Sequence, residues 1–136
     1  MSLVGRRGPE WRFPIEWSKV WEFAKAVRDD HAELQPLPVP PLFPIYGHFA
    51  FETFFGSIEA GMDLDHVLHA QEEYEYRRPL RVGDRLVCQS RIIDEYYRDG
   101  RRGGRLHFIV TETEMREEAT GELVVTERTT MVQSSA

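Results

Sequence analysis

The chain has 136 residues, enough for one domain with a hydrophobic core of its own. Hydrophobic residues make up 41% of the sequence and charged residues 29%, as in ordinary globular proteins, and no apolar run is long enough to cross a membrane. The net charge of −6 argues against general nucleic-acid binding. No internal repeat or linker divides the sequence, so we predict a single domain over residues 1–136.

The first periodic segment predicts an amphipathic helix. Pro14 and Glu16 precede it and suit a helix start, where proline needs no hydrogen bond and an acid faces the positive end of the helix dipole. We expect this helix to end between Arg28 and His31. Its apolar residues recur at helical spacing: Trp17, Val20, Trp21, Ala24 and Val27.

A proline-rich segment and an apolar segment follow. Prolines recur from Gln35 to Pro44, which excludes regular structure and predicts a stiff extended loop. The segment from Leu42 to Phe55 has no charge before Glu52, which predicts a helix that is buried on most sides and stops at Gly56. A buried strand is the alternative. Gly47, inside this segment, suggests close packing against another backbone.

Beyond Gly61 the apolar residues recur with a period of two, which is typical of strands. Turn residues at Val82–Asp84, Arg98–Gly104 and Thr120–Gly121 separate these segments. The expected strands are Leu68–Tyr76, Leu86–Ile93, Leu106–Thr113 and Leu123–Val132. Two helices followed by four consecutive antiparallel strands predict an α+β domain with its helices segregated from the sheet.

Positive charge is concentrated between Arg77 and Arg105. This segment holds nine arginines and four acidic residues, a net charge of +5 (9 − 4), so the remainder of the chain carries −11 (−6 − 5). A basic segment on an acidic protein favours an anionic ligand or partner. The alternative is that these arginines only keep exposed strand faces in water.

Two further features bear on the compartment. Cys88 is the only cysteine, so no disulfide can form within the chain. Met1 to Arg7 lacks the apolar segment of a signal peptide. The single cysteine favours a reducing cytoplasm.

Several segments resemble the N-terminal MaoC-like dehydratase family, also called the FAS1-like dehydratase domain family. They are RDDHAEL, PPLFP, LHAQEEYEYRRPLRVGD, RDGRRGGRLHFIVTETE and GELVVTERTT, in this order, and the resemblance extends from Trp11 to Val132. It implies a hot-dog fold, in which an antiparallel sheet wraps around a long central helix. It also implies a dimer whose two sheets join into one.

The resemblance further implies chemistry on acyl thioesters of coenzyme A or acyl carrier protein. Relatives interconvert 3-hydroxyacyl and 2-enoyl thioesters, and the family includes non-catalytic subunits of mycobacterial hydroxyacyl dehydratases. The expected ligand is therefore acyl-CoA or acyl-ACP, with no cofactor and no metal. The expected partner is a second copy or a catalytic hot-dog subunit, and neither nucleic acid nor a membrane.

The catalytic motif of the superfamily, Gly-Asp-x-Asn-Pro-x-His, is incomplete here. The motif's aspartate falls on Asp29, its asparagine on His31, its proline on Ala32 and its histidine on Leu34. Leucine carries no proton, so half of the usual acid/base pair is missing. We take Asp29 and His31 as the candidate catalytic residues. The alternative is that Asp29, Asp30 and His31 only end a helix, where residues two apart do not face each other.

Substrate contacts are expected from the central helix and the basic segment. Backbone N–H groups from Leu42 to Ile45 would stabilise negative charge on the thioester oxygen. Side chains expected to line the acyl tunnel or hold the carrier's phosphates are Phe43, Tyr46, His48, Phe51, Arg77 and Arg78.

Two other chemistries remain open. Glu52 on the central helix would activate water in a hot-dog thioesterase; the alternative is that it points to solvent. His66 and His69 have a helical metal-ligand spacing, but they enter a predicted strand, where their side chains would point apart.

Overall fold

A computed structural model of the chain describes residues 2–51 and 54–134. Its helices are α1 Trp17–Ala26, α2 Pro44–Phe51 and α3 Phe55–Glu59, with a 3₁₀ turn at Leu64–His66. Its strands are β1 Trp11–Pro14, β2 Val67–Tyr76, β3 Arg85–Asp99, β4 Arg105–Glu117 and β5 Leu123–Ser134. No helix in these two ranges is long and apolar enough to span a membrane.

The strands form one antiparallel sheet in the order β1-β3-β4-β5-β2. The meander of the last three strands was predicted, but two features were not. β1 adds a fifth strand at one edge, and β2 pairs with β5 at the other edge rather than with its sequence neighbour β3. Sequence periodicity identifies strands, whereas their order depends on non-local pairing.

Helix α1 confirms the first predicted helix and ends at Ala26. Val20 and Ala24 are buried, while Trp17 and Val27 at the two ends of the predicted apolar face are exposed. The apolar face is therefore buried only in its central turn.

The expected continuous helix from Leu42 to Phe55 is wrong in its extent. Helix α2 begins at Pro44, the first-turn position where proline costs no hydrogen bond, and a separate helix α3 starts at Phe55. Gly56 lies inside α3 instead of ending a helix. It is buried, and a Cβ added to it would overlap Thr111 Oγ1 and lie 2.9 Å from Ile109 Cγ2. Glycine thus allows α3 to contact β4.

Gly47 also marks a close approach, but the neighbour is a side chain rather than a backbone. A Cβ at Gly47 would lie 2.9 Å from Cε2 of Phe13, the buried phenylalanine of β1. The glycine lets α2 pack directly on this ring.

The interior is divided along the inner face of the sheet. One large apolar cluster includes Phe13, Phe43, Cys88, Met115 and Val125, and a smaller one includes Met62, Ile92 and Ile109. Between them each long strand contributes buried polar residues: Ser90 from β3, Thr111 and Thr113 from β4, and Glu127 and Thr129 from β5. We call these residues the polar band.

Candidate functional site

The loop after α1 begins with a defined helix-end motif. The Arg28 N–H donates to the Lys25 carbonyl at 3.1 Å, and the Asp29 N–H donates to the Ala24 carbonyl at 2.9 Å. Arg28 has a φ of +57°, the left-handed conformation that this Schellman motif requires. The motif fixes Asp29 just beyond the helix.

Asp29 and His31 are in direct contact. Oδ1 of Asp29 accepts a hydrogen bond from the His31 backbone N–H at 2.8 Å and lies 3.0 Å from His31 Nδ1. The argument that two residues two apart on a helix cannot meet does not apply, because both residues lie outside α1. The His31 backbone N–H, with a further contribution from its ring, lowers the pKa of Asp29. Asp29 is therefore a carboxylate at neutral pH.

This contact orients the imidazole of His31. A carboxylate can only accept, so Nδ1 carries the proton that it shares with Asp29, and Nε2 is left as the second ring nitrogen. The His31 side chain is 66% exposed, which places this nitrogen within reach of a ligand at the surface. The pair thus supplies one oriented proton-transfer atom, with Asp29 as its support.

Leu34 occupies the position of the motif's histidine. Its N–H donates to the His31 carbonyl at 3.1 Å, and the residue is 50% exposed. An apolar side chain at this surface adds no group that can move a proton.

The backbone donors expected at the start of α2 are largely engaged. The Phe43 N–H donates to the Pro40 carbonyl at 2.9 Å, and the Ile45 N–H donates to the Leu42 carbonyl at 3.2 Å. Pro44 has no N–H. The turn that leads into the helix therefore uses most of the donors that the sequence suggested for the thioester oxygen.

Phe43 and Tyr46 belong to the large apolar cluster. Phe43 is fully buried, with its ring centroid 5.3 Å from that of Tyr46 and 5.5 Å from that of Phe23 in an edge-on contact. Phe43 thereby connects α1 to α2, and Tyr46 is partly buried beside it. The Phe51 side chain and the whole of Glu52 lie outside the described residues.

His48 is buried and bonded to a residue that the sequence analysis missed. Its Nε2 pairs with Oε1 of Glu127, and its ring lies 5.4 Å from the Trp11 ring and 5.3 Å from the Phe54 ring. Glu127 sits in β5 between the inward-facing Val125 and Thr129. The period-two pattern of that strand was the available signal, since it assigns Glu127 to the inner face.

Arg77 and Arg78 have different environments. The Arg78 guanidinium makes two hydrogen bonds to the Asp84 carboxylate, at 2.8 and 3.3 Å, and a third to Glu117 at 3.4 Å. It therefore fastens the Val82–Asp84 turn to the end of β4. Arg77 is exposed, and its backbone N–H donates to the Val124 carbonyl.

A cleft of about 390 Å³ lies beside these arginines, a volume that suits a small-molecule ligand. The proline-rich loop forms one wall, and the hydroxyl of Tyr76 donates to the Pro41 carbonyl across it. The lining residues are Val39, Pro41, Tyr76, Arg77, Arg78, Pro79 and Leu80.

The basic segment is not a continuous positive surface. Arg85 pairs with Glu118 and Arg91 with Glu112, so acids outside the segment neutralise arginines within it. The expectation of a single basic strip is wrong in this respect, because cross-strand neighbours are not visible in a local charge count. Arg98 instead lies over the ring of Tyr96, and Arg105 lies over the ring of Tyr97.

The two histidines with metal-ligand spacing bind different carboxylates. His66 Nδ1 lies 2.9 Å from Asp63 Oδ2, and His69 Nε2 lies 2.6 Å from Glu72 Oε2. They do not converge on a common point for a metal ion.

Comparison with known proteins places this geometry in context. Residues 2–127 match the sequence profile of a family described as "FAS1-like, dehydratase domain region". A UPF0336 protein of Leifsonia xyli subsp. xyli is 30% identical over 147 residues, which cover 96% of this chain and 93% of that protein.

Two solved structures show the same fold. The chain is similar to the HadBC (3R-hydroxyacyl-ACP dehydratase) complex from Mycobacterium tuberculosis, with a TM-score of 0.72 and 23% identity, over 97% of this chain and 98% of that chain. It is also similar to a MaoC-like dehydratase, with a TM-score of 0.74 and 23% identity, over 99% of this chain and 43% of that one. The predicted hot-dog fold is confirmed.

Proposed function

Because the chain belongs to the FAS1-like dehydratase domain family, we propose that it binds a 3-hydroxyacyl or 2-enoyl thioester as one half of a hydro-lyase. In this proposal a partner chain supplies the second proton-transfer group. The observation that carries it is the combination of an oriented Asp29–His31 pair with Leu34 at the position of the motif's histidine.

Dehydration of a 3-hydroxyacyl thioester requires two proton transfers. A base removes the α-proton, and an acid protonates the departing hydroxyl group. Asp29 holds His31 through Oδ1, and we assign His31 Nε2 as the atom of this pair that exchanges a proton with substrate. A partner with a complete Asp/His motif would provide the other.

The sheet edge supports assembly with such a partner. β2 pairs with β5 on one side, and within the described residues its other side carries no strand. An unpaired strand of this length is a ready surface for joining a second sheet. The similar HadBC structure is itself a complex, which agrees with a two-chain hydro-lyase.

The cleft beside the proline-rich loop is the proposed substrate channel. Its apolar wall suits the acyl chain, and the exposed guanidinium of Arg77 suits a phosphate of coenzyme A or of the acyl carrier protein's prosthetic group. The activated thioester comes with the substrate, so this chemistry needs no bound cofactor and no metal.

Calorimetric titration with 3-hydroxybutyryl-CoA tests the proposal. We expect the purified chain to bind it, and we expect Arg77→Ala to weaken binding roughly 5-fold, the equivalent of about 1 kcal/mol for one exposed charged hydrogen bond. Arg101→Ala, at the tip of the β3–β4 hairpin, is the matched control and should bind as the wild type does. Absence of binding by the wild-type chain would overturn the proposal.

A thiol-release assay on the same purified chain distinguishes a thioesterase from a hydro-lyase. Release of free coenzyme A thiol from acyl-CoA, lost in Glu52→Gln, would assign hydrolysis to Glu52 instead.

A further inference from the structure

Glu127 of the polar band belongs to a chain of ionisable groups that the proposed function does not use. Glu127 is fully buried, and its Oε1 pairs with His48 of α2. The other oxygen, Oε2, is buried and makes no hydrogen bond within residues 2–51 and 54–134. A buried carboxylate oxygen without a donor is costly, so this atom calls for a proton or a donor that the hydrogen-bond pattern lacks.

Two neighbours can provide one: Glu72, and Tyr74, whose hydroxyl is also buried without a hydrogen bond in the described part of the chain. In the β2–β5 register Tyr74 lies opposite Glu127 and Glu72 lies opposite Thr129, so the two glutamates are diagonal neighbours on the inner face. Long side chains reach each other at this spacing. The Glu72 carboxyl accepts a hydrogen bond from Thr129 Oγ1 at 3.0 Å and lies 2.6 Å from His69 Nε2.

Two adjoining carboxyl groups inside a protein do not both ionise. Burial, with the neighbouring Glu127, raises the pKa of Glu72, and burial also raises the pKa of Glu127. One proton shared by the two groups would give Glu127 Oε2 its missing donor.

A small cavity adjoins the same cluster. It has a volume of about 10 Å³, close to the minimum for one water molecule. The Ser57 hydroxyl in its wall is buried and makes no hydrogen bond in the described part of the chain. Its polar wall consists of His48, Ser57, Thr111, Thr113 and Thr129.

We propose that Glu72, Glu127 and His48 form a buried acid–base centre that holds one proton between the two carboxyl groups, and that the cavity at Ser57 binds a water molecule on the His48 side. The centre is separate from Asp29–His31. It runs from His69 on the β2 edge, through the two glutamates and His48, to the water between α3 and the sheet.

The other groups that face this centre are neutral near pH 7. β2 contributes Tyr74 and Tyr76, and β3 contributes Cys88. Burial, reinforced by the charge of Glu127, raises the pKa of all three. β4 contributes only hydroxyl groups, from Thr111 and Thr113. Thus His48 and His69 are the groups in and around the centre that can carry positive charge.

Infrared spectroscopy of the full chain at neutral pH tests the shared proton. We expect a carboxylic-acid C=O band that shifts in deuterium oxide, and we expect Glu72→Gln to remove it while the amide keeps the fold. Glu73→Gln, on the opposite face of β2, should leave the band unchanged. Absence of the band in the wild-type chain, or its persistence in Glu72→Gln, would overturn the shared proton.

A high-resolution crystal structure tests the water. We expect density in the cavity within hydrogen-bonding distance of Ser57 Oγ, lost in Ser57→Ala. An empty cavity in the wild-type crystal would overturn this part of the proposal.

Discussion

The carboxylate of Asp29 holds His31 at two points, with Oδ1 2.8 Å from the backbone nitrogen and 3.0 Å from Nδ1 of the ring. In the sequence, Asp29 and His31 are only an acidic and a basic residue at a helix end. In the structure, Asp29 fixes the tautomer of the His31 imidazole. The pair has the parts of a proton-transfer group and its support, without the second group that a complete dehydratase motif would place at Leu34.

This contact predicts unequal effects for its two members. In a hydration assay with a catalytic partner, we expect His31→Gln to lower the rate roughly 100-fold, the range of a lost general acid or base. Asp29→Asn keeps both hydrogen-bond acceptor contacts and removes only the charge, so its loss should be smaller, roughly 10-fold. Asp30→Asn is the control, and a loss as large as that of His31→Gln would contradict the assignment.

Because α3 packs closely on β4, we expect a substitution of Gly56 to destabilise the fold. A methyl group there would collide with Thr111 and Ile109, so Gly56→Ala should lower the free energy of unfolding by about 1–3 kcal/mol. The measurement is urea denaturation. In a Thr111→Ala background the same substitution should cost less, since the nearest colliding atom is gone; an equal cost in both backgrounds would exclude this contact as the cause.

Substitutions of the adjacent residues Arg77 and Arg78 should have different effects: the first on ligand binding and the second on stability. Arg78 is bonded to Asp84 and Glu117 and is partly buried, so Arg78→Ala should destabilise the fold by about 1–2 kcal/mol. Arg77→Ala should leave the unfolding midpoint nearly unchanged and weaken acyl-CoA binding. Equal unfolding midpoints for the two variants would show that the Arg78 contacts add nothing to stability.

The buried glutamates predict that stability falls as pH rises. The pKa of Glu72 is raised from 4.5 to about 8, so between these values the folded chain binds more protons than the unfolded chain. The resulting stabilisation is fully present below the unfolded pKa and is lost as pH rises through the folded pKa. Urea midpoints should therefore decrease from about pH 5 to about pH 8, and Glu72→Gln should flatten this decrease. A wild-type midpoint that stays constant over this range would contradict the raised pKa.

The sequence predicted those helices and strands in which buried residues recur at a regular helical or strand spacing. Helix α1 and the long strands are such elements. β1 was missed because it has four residues, of which only Phe13 is buried, and it ends in Pro14. The break between α2 and α3 was missed because a segment that is apolar on all sides has the same hydrophobic pattern whether it forms one helix or two.

The candidate site was predicted in position and not in its contacts. The motif located Asp29 and His31, but their hydrogen bonds depend on a left-handed Arg28 that the sequence does not mark with glycine. The basic segment was misread because Glu112 and Glu118, which neutralise it, lie on the following strand and turn. To predict Glu127 as a site residue, one would have to notice two things together. The period-two pattern of β5 places it on the inner face, and burying a charge there is unfavourable.

The rate of crotonyl-CoA hydration, measured for the purified chain alone and after mixing with a hot-dog hydratase subunit that has a complete Asp/His motif, tests the central claim most directly. We expect no hydration by the chain alone, and we expect the mixture to exceed the partner's own rate. Hydration by the isolated chain, abolished by Asp29→Asn, would contradict the claim that a partner supplies the missing proton-transfer group.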